Sequence, residues 1–423
     1  MDLEYLHRCA RALFDRALSS VDPRQAVVDI SETTLNVSSR PVYAIAIGKA
    51  ATAMAIGLEE ALGDKLTAGV ITSPDPPRHL KRWRSYIGGH PLPNRESLEA
   101  AHAAFALLGR ANAERALVVF LISGGGSAML EWPASNDISL DALRDANQAL
   151  ISCGARISEI NAVRITFSAV KGGALARRAP RAEIITLIVS DTNRGDEASV
   201  ASGPTLAPSA DAPRAAEVLE QYELKRVLPP SIVKAVESNS ADEKRETPGT
   251  HYVLLGNWTA LEAAAQHASA LGFNCVTRED ISEQPIEEGC DLLLSGPFAG
   301  PGICEISGGE FSCPVIGDGR GGRNLETVLR CAVKLIRQRN PHHTVVLSAG
   351  TDGIDGNSFC AGAIADETTL DYALRCHIDP EFFLARSDSY AFFDQLYYPF
   401  PGLVLTGPTG TNVRDLRIVL KSV

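Results

Sequence analysis

Short, nearly unbroken apolar runs punctuate the first half of this chain at 42–47, 69–72, 117–122 and 184–190, and they read as strands. The stretches between them are Ala-rich with helical apolar spacing, as are residues 2–19 and about 49–63. Such alternation is the pattern of a parallel sheet with crossover helices. A polar, charge-mixed stretch, Glu237-Ser-Asn-Ser-Ala-Asp-Glu-Lys-Arg-Glu-Thr-Pro-Gly249, interrupts it and reads as a linker. Strand-like runs then resume at 252–255, 273–276, 291–294, 344–349, 402–405 and 417–420. A chain of 423 residues exceeds the roughly 250–300 residues over which one core keeps growing. The expectation is therefore an α/β protein of two domains, residues 1–240 and 241–423, with the option that the last strand returns to the first domain.

Six of the apolar runs empty directly into loops of Gly, Ser, Thr, Asp or Asn. They are Ala44-Ile-Ala-Ile-Gly-Lys49, Leu121-Ile-Ser-Gly-Gly-Gly-Ser127, Ile188-Val-Ser-Asp-Thr-Asn-Arg-Gly195, Leu254-Leu-Gly-Asn257, Leu347-Ser-Ala-Gly-Thr-Asp-Gly-Ile-Asp-Gly356 and Leu403-Val-Leu-Thr-Gly-Pro-Thr-Gly-Thr-Asn412. Open α/β sheets bind ligands outside the carboxyl ends of their strands, so these loops point to an enzyme for a small anionic substrate. The net charge of −11 argues against a nucleic-acid partner, which needs a basic surface. Nine scattered cysteines with no C-x-x-C pair fit reduced thiols in a cytoplasmic protein. The first ten residues lack a cationic segment followed by an apolar one, and no stretch reaches about 18 uncharged apolar residues, so no membrane partner is expected.

Individual loops carry distinct chemistry. Ser123, Gly124, Gly125, Gly126 and Ser127 follow a strand and could close backbone N–H groups on an anion, the plain alternative being a tight strand-to-helix turn. Lys49 follows Gly48 at a strand end, and a Walker A loop is excluded because Tyr43 and Ala50 stand where that motif needs Gly and Ser or Thr. Asp191 ends a strand, where a carboxylate can hold Mg²⁺ or take a hydroxyl proton; a turn or cap is the alternative. Asn161, Arg164 and Lys171 place an amide and two cations within a dozen residues on a helix and its end. Gly317-Asp-Gly-Arg-Gly-Gly-Arg-Asn324 formally matches G-x-G-x-x-G before a helical stretch at 325–338, yet no strong strand precedes it. Its Arg320 and Arg323 suit a carboxylate or phosphate. Asp352 and Asp355 lie three residues apart after a strand, and Thr406-Gly-Pro-Thr-Gly-Thr-Asn412 offers hydroxyls and an amide. No His-rich metal constellation is present.

In order and number these segments resemble the glycerate 2-kinase family of the MOFRL type, from about Ala44 to Asp415. The shared segments include Gly48-Lys49-Ala50, Gly89-His-Pro-Leu-Pro93, Leu121–Ala128, Glu159-Ile-Asn161 with Val163-Arg164, Lys171-Gly-Gly173, Ser202-Gly-Pro-Thr205, Gly321-Gly-Arg-Asn324, Gly350–Gly356 and Thr406–Val413. The resemblance implies ATP-dependent phosphorylation of D-glycerate at its 2-hydroxyl with Mg²⁺. It also implies a Rossmann-like N-terminal domain, a distinct α/β C-terminal domain and an active site in the cleft between them. Two segments depart from the family pattern, Ile165-Thr-Phe-Ser168 and Thr192-Asn-Arg194, and both bear on acceptor contacts.

The family pattern assigns catalysis to Lys49, Asp191 and Arg323, the two cations straddling the γ-phosphoryl group. Nucleotide phosphate falls to Ser123 through Ser127. Substrate contacts fall to Asn161, Arg164, Lys171, Asn324, Asp352, Thr409 and Asn412, and metal contacts to Asp352 and Asp191. The competing readings are an NAD(P)H-dependent hydroxypyruvate reductase, motivated by the G-x-G-x-x-G match, and a non-catalytic metabolite sensor. The oligomeric state is not legible, and a homodimer stays open.

Overall fold

The computed structural model describes residues 2–35, 40–76, 80–238, 247–296, 302–338, 342–396 and 402–422. The chain divides into two compact units, Pro23–Leu255 and Met1–Asp22 together with Gly256–Val423.

The first unit is built on six parallel strands: β1 (Val42–Ile47), β2 (Leu66–Ser73), β3 (Trp83–Ile87), β4 (Leu117–Ser123), β5 (Glu183–Val189) and β6 (Thr250–Leu255). Their order is β3-β2-β1-β4-β5-β6, and every adjacent pair is parallel. Every residue of β1 and β4 is buried, which is why both strands are written as continuous apolar runs rather than alternating ones. The order reverses between β1 and β4, so the loops leaving these two strands flank the topological switch point where doubly wound sheets take their ligands. Gly48-Lys49 leaves β1 and Gly124–Ser127 leaves β4.

Strand β3 was not expected. It is an edge strand whose Arg84 and Ser85 are exposed, so it has no unbroken apolar run. The boundary also moves: β6 pairs with β5, with Ile185 opposite Thr250 and Val189 opposite Leu255, and this carries residues 250–255 back into the first unit. The core of the expected linker, residues 239–246, lies outside the described residues.

The second unit holds a mixed sheet in the order β11-β10-β9-β12-β8-β7. Its strands are β7 (Asn274–Thr277), β8 (Ile303–Gly309), β9 (Thr344–Gly350), β10 (Gly362–Asp366), β11 (Leu403–Val404) and β12 (Asp415–Lys421). Only the β7–β8 pair is parallel. The terminal strand β12 stays in this sheet, between β8 and β9.

The first 22 residues belong here rather than to a 1–240 domain. Helix Leu3–Ser19 packs on helix Asn257–Ala270 and on β9 and β12, and its His7 Nε2 lies 2.8 Å from the buried carboxylate of Asp366. The strand expected at 291–294 is instead part of helix Ile286–Leu294, whose Ile286, Cys290, Leu293 and Leu294 face the core at helical spacing. Strands β8 and β10 have no continuous apolar run because Glu305, Ser307 and two glycines dilute one, and Gly, Ala and Asp the other. Glu305 is tolerated in a buried strand because Arg278 Nη1 bonds its carboxylate at 3.1 Å. Helix Arg323–Gln338 begins two residues before the expected start. Among the described residues, no helix is long and apolar enough to cross a membrane.

Candidate active site

In the parallel-sheet unit the expected residues converge at the switch point. Gly48 has φ +112° and a Cβ there would strike the backbone of Gly124, so only glycine lets β1 turn this tightly beside β4. Lys49 N donates to Gly124 O at 2.9 Å, locking the two loops together. The Lys49 side chain lies over Gly125, its Cγ 3.1 Å from the place a Cβ would occupy, and the exposed His90 lies beside the same point. On the other side, a Cβ on Gly124 would collide with the Asp191 carboxylate. Lys49, His90, the glycine loop and Asp191 thus share one rim. Ser123 serves the turn itself. Its Oγ accepts from Ala50 N (3.0 Å) and donates to Ile47 O (3.1 Å), so the hydroxyl is engaged in holding the loop in place.

Behind the loop, Ser127 Oγ and Ser202 Oγ are 2.7 Å apart, and Ser202 Oγ donates to Asn161 Oδ1 at 2.8 Å. Residues Ala201 and Ser202 both hold positive φ (51° and 60°), a strained turn that presses Ala201 against Gly126. Asn161 and Arg164 sit on helix Ile157–Phe167, both buried. Arg164 Nε donates to Asn147 Oδ1 at 2.9 Å, and burial pulls its guanidinium down to about 10, which leaves it protonated at neutral pH.

Lys171 differs from the expected substrate contact. Its ammonium is fully buried and paired with the equally buried Glu131, which also accepts from Ser168 Oγ (2.6 Å) and Trp132 N (2.9 Å). Burial lowers the Lys171 pKa and the Glu131 charge opposes that shift. Lys171 is a structural cation in this arrangement, and Glu131 is its unforeseen partner.

The mixed-sheet unit gathers a second set. Arg323 opens helix Arg323–Gln338 and is held by two carboxylates: Nε lies 2.5 Å from Asp415 Oδ2, and Nη2 lies 2.7 Å from Glu310 Oε1. Burial works against its charge, but Asp415 and Glu310 outweigh burial and raise its pKa above the ordinary value. Asp415 begins β12 opposite Gly309 of β8 and Gly350 of β9, so sheet register fixes where the guanidinium is anchored. Asp352 Oδ1 and Asp415 Oδ1 both face Gly350, 3.2 and 3.4 Å from the position of a Cβ there.

Three other expected contacts are engaged in framework bonds. Asn324 donates through Nδ2 to Asp355 and accepts from Ser348 Oγ at 2.6 Å. Thr409 Oγ1 donates to Thr351 O at 2.6 Å, and Asn412 Oδ1 accepts from Arg414 N. Asp355 caps helix Arg323–Gln338 through Leu325 N (2.8 Å) and Asn324 N (3.1 Å).

Among the described residues no three His, Cys, Asp or Glu side chains group as a metal cage. Asp191 belongs to the parallel-sheet unit and Asp352 to the mixed-sheet unit. Mg²⁺ needs only one or two carboxylates when a nucleotide's phosphates supply the other oxygens, so a single rim carboxylate such as Asp191 suffices for an ion carried in with nucleotide. Sequence reasoning missed Glu131, Glu310 and Asp415 as partners and gave His90 no role. For His90 the signal existed, in the segment Gly89-His-Pro-Leu-Pro93; for the carboxylates only the fold reveals what they face.

Known proteins resemble the chain along its whole length. Residues 9–237 match a domain of unknown function (DUF4147), and residues 303–415 match the MOFRL family. The D-glycerate 2-kinase of Thermotoga maritima is 32% identical over 99% of this chain and 99% of its own. A protein of Agrobacterium vitis, provisionally named a hydroxypyruvate reductase, is 36% identical over 97% of this chain and 93% of its own. The crystal structure of glycerate kinase from Thermotoga maritima superposes with a TM-score of 0.84 at 30% identity, covering 99% of this chain and 100% of the other. With a strand order that reverses beside Lys49, and likeness spanning both sheets, the chain belongs to the glycerate 2-kinase family of the MOFRL type.

Proposed function

We propose that this enzyme transfers the γ-phosphoryl group of ATP to the 2-hydroxyl of D-glycerate, giving 2-phosphoglycerate and ADP. The observation that carries the reading is the rim at the β1/β4 switch point, where Lys49 lies over a glycine loop and Asp191 lies against it. Phosphoryl transfer asks for positioning and for charge opposite the transferring oxygens, and this rim offers both.

In this mechanism the backbone of Gly124–Ser127 receives nucleotide phosphate, and Lys49 opposes the charge on the phosphoryl group in flight. Within the mixed-sheet unit, Arg323, held in one orientation by Asp415, is the cation suited to bind phosphate. Asp191 orients the acceptor hydroxyl and takes its proton as the oxygen attacks phosphorus and ADP departs. Asn161 and Arg164 hold the acceptor. A divalent ion arriving with the nucleotide would add charge to the phosphate oxygens, and Asp191 is the carboxylate of this rim that would hold it.

The reductase reading loses its motif. The glycines of Gly317-Asp-Gly-Arg-Gly-Gly322 are not bare toward a ligand, because Gly317 and Gly319 pack on the backbone of Arg386 and Asp388. In the parallel sheet the first strand-to-helix turn is Gly48-Lys49-Ala50, which lacks the dinucleotide fingerprint. The deciding assay offers purified enzyme D-glycerate with MgATP and, separately, hydroxypyruvate with NADH. ADP release with D-glycerate and no NADH oxidation is expected; NADH oxidation without ATP would replace the kinase reading with the reductase.

A further inference from the structure

Helix Ile157–Phe167 carries two buried side chains, Asn161 and Arg164, whose remaining hydrogen-bond donors find no partner among the described residues. Asn161 and Arg164 are each only 6% exposed. Three residues apart, they lie on one helix face. Asn161 Oδ1 accepts from Ser202, but its buried Nδ2 has no partner among the described residues. Arg164 bonds Asn147 through Nε alone, and its two Nη groups bond nothing among the described residues. Buried polar groups are nearly always paired, so an amide and a guanidinium fork left open side by side point to a ligand.

The charge balance points the same way. Arg164 and Lys171 are two buried cations, and among the described residues Glu131 is the carboxylate whose charge acts on both. Lys171 already takes Glu131, so the cluster carries one uncompensated positive charge on Arg164. We propose that Arg164 and Asn161 form a subsite for the carboxylate of the acceptor, a planar monoanion that accepts from the two Nη groups and from the Asn161 amide. A carboxylate supplies the single charge the cluster lacks. The subsite joins the phosphate-holding rim through Asn161–Ser202–Ser127, a chain of hydrogen bonds that ends in the glycine loop. Selection for a hydroxy acid over a neutral alcohol therefore resides in this helix, and this assignment rests on the proposal that the enzyme phosphorylates such an acid.

The test compares D-glycerate with D-glyceramide, which keeps the hydroxyls and replaces the carboxylate by a neutral amide. The wild type should prefer glycerate by about 100-fold or more in kcat/KM, because a site built for a charged partner rejects the analogue lacking it. Arg164→Gln should collapse that preference to less than about 10-fold while leaving the KM for ATP unchanged, and Arg164→Lys should restore part of it. A preference that survives Arg164→Gln, or a rise in the KM for ATP in its place, would overturn the subsite. Should Arg164→Gln not fold, Asn161→Ala leaves the charge pair intact and should raise the KM for glycerate about tenfold at constant KM for ATP; an unchanged KM for glycerate would count against the proposal. Thermal protection by D-glycerate without ATP separates this proposal from the kinase reading. Protection by D-glycerate but not glycerol, lost in Arg164→Gln, upholds the subsite even if no phosphorylation occurs; no protection in the wild type overturns it even if phosphorylation does.

Discussion

At the scale of single residues, Lys49 and Lys171 show what a sequence can and cannot reveal about a cation. The place of Lys49 at the end of β1, beside the glycine loop, was legible because it follows a strand and a glycine. Lys171 stood in an equally suggestive setting beside two glycines, yet its ammonium pairs with Glu131, forty residues away in the chain. No local pattern marks Glu131, since only folding brings residues 131, 168 and 171 together. Removing one member of a buried pair leaves the other charge without compensation. Glu131→Gln should therefore destabilise the enzyme by about 3–5 kcal/mol, read from urea unfolding at pH 7. A loss below about 1 kcal/mol would show that Lys171 has another partner. Asn324 and Thr409 likewise have partners that no local pattern announces, here Asp355, Ser348 and Thr351.

At the scale of elements, long periodic segments were legible and diluted ones were not. Strands β1, β4, β5 and β9 announced themselves because burial on both faces leaves little room for polar residues. Strand β8 hides a buried Glu305 that needs Arg278, and three leucines at 292–294 belong to a helix because short apolar runs carry no period of their own. Helix Arg323–Gln338 depends on Asp355, whose carboxylate accepts its first N–H groups from within the core. Burial pushes that carboxyl up to about 7 from an ordinary 3.8.

A folded-state pKa above the unfolded one means that the native protein binds the extra proton between these values. Its stabilising contribution is full below about pH 4 and is lost as pH rises through 7. Asp355→Asn removes this titration, so the variant should lose less unfolding free energy than the wild type between pH 5 and pH 8. Parallel losses in both proteins would show that Asp355 is not raised.

At the scale of the whole molecule, the division into two α/β units was legible from the broken alternation of runs, but their membership was not. The helix at 3–19 precedes the parallel sheet in sequence and packs with the mixed one, through apolar contact and the His7–Asp366 bond. Sequence proximity favours the opposite assignment, and nothing in helical spacing names a distant partner. Deleting residues 1–22 should raise hydrogen exchange in β9, β12 and helix Asn257–Ala270 while β1 and β4 keep wild-type protection, read by peptide-resolved mass spectrometry. Raised exchange in β1 and β4 instead would return the helix to the parallel-sheet unit.

The proposed phosphoryl transfer takes place at the Lys49 rim of that parallel sheet. The most direct test is phosphorus NMR of the product formed from MgATP and D-glycerate by the wild type and by a folded Lys49→Ala variant. The wild type should yield 2-phosphoglycerate, and the variant should form it about 10²-fold or more slowly. A 3-phosphate product, or a Lys49→Ala enzyme working at close to the wild-type rate, would contradict it.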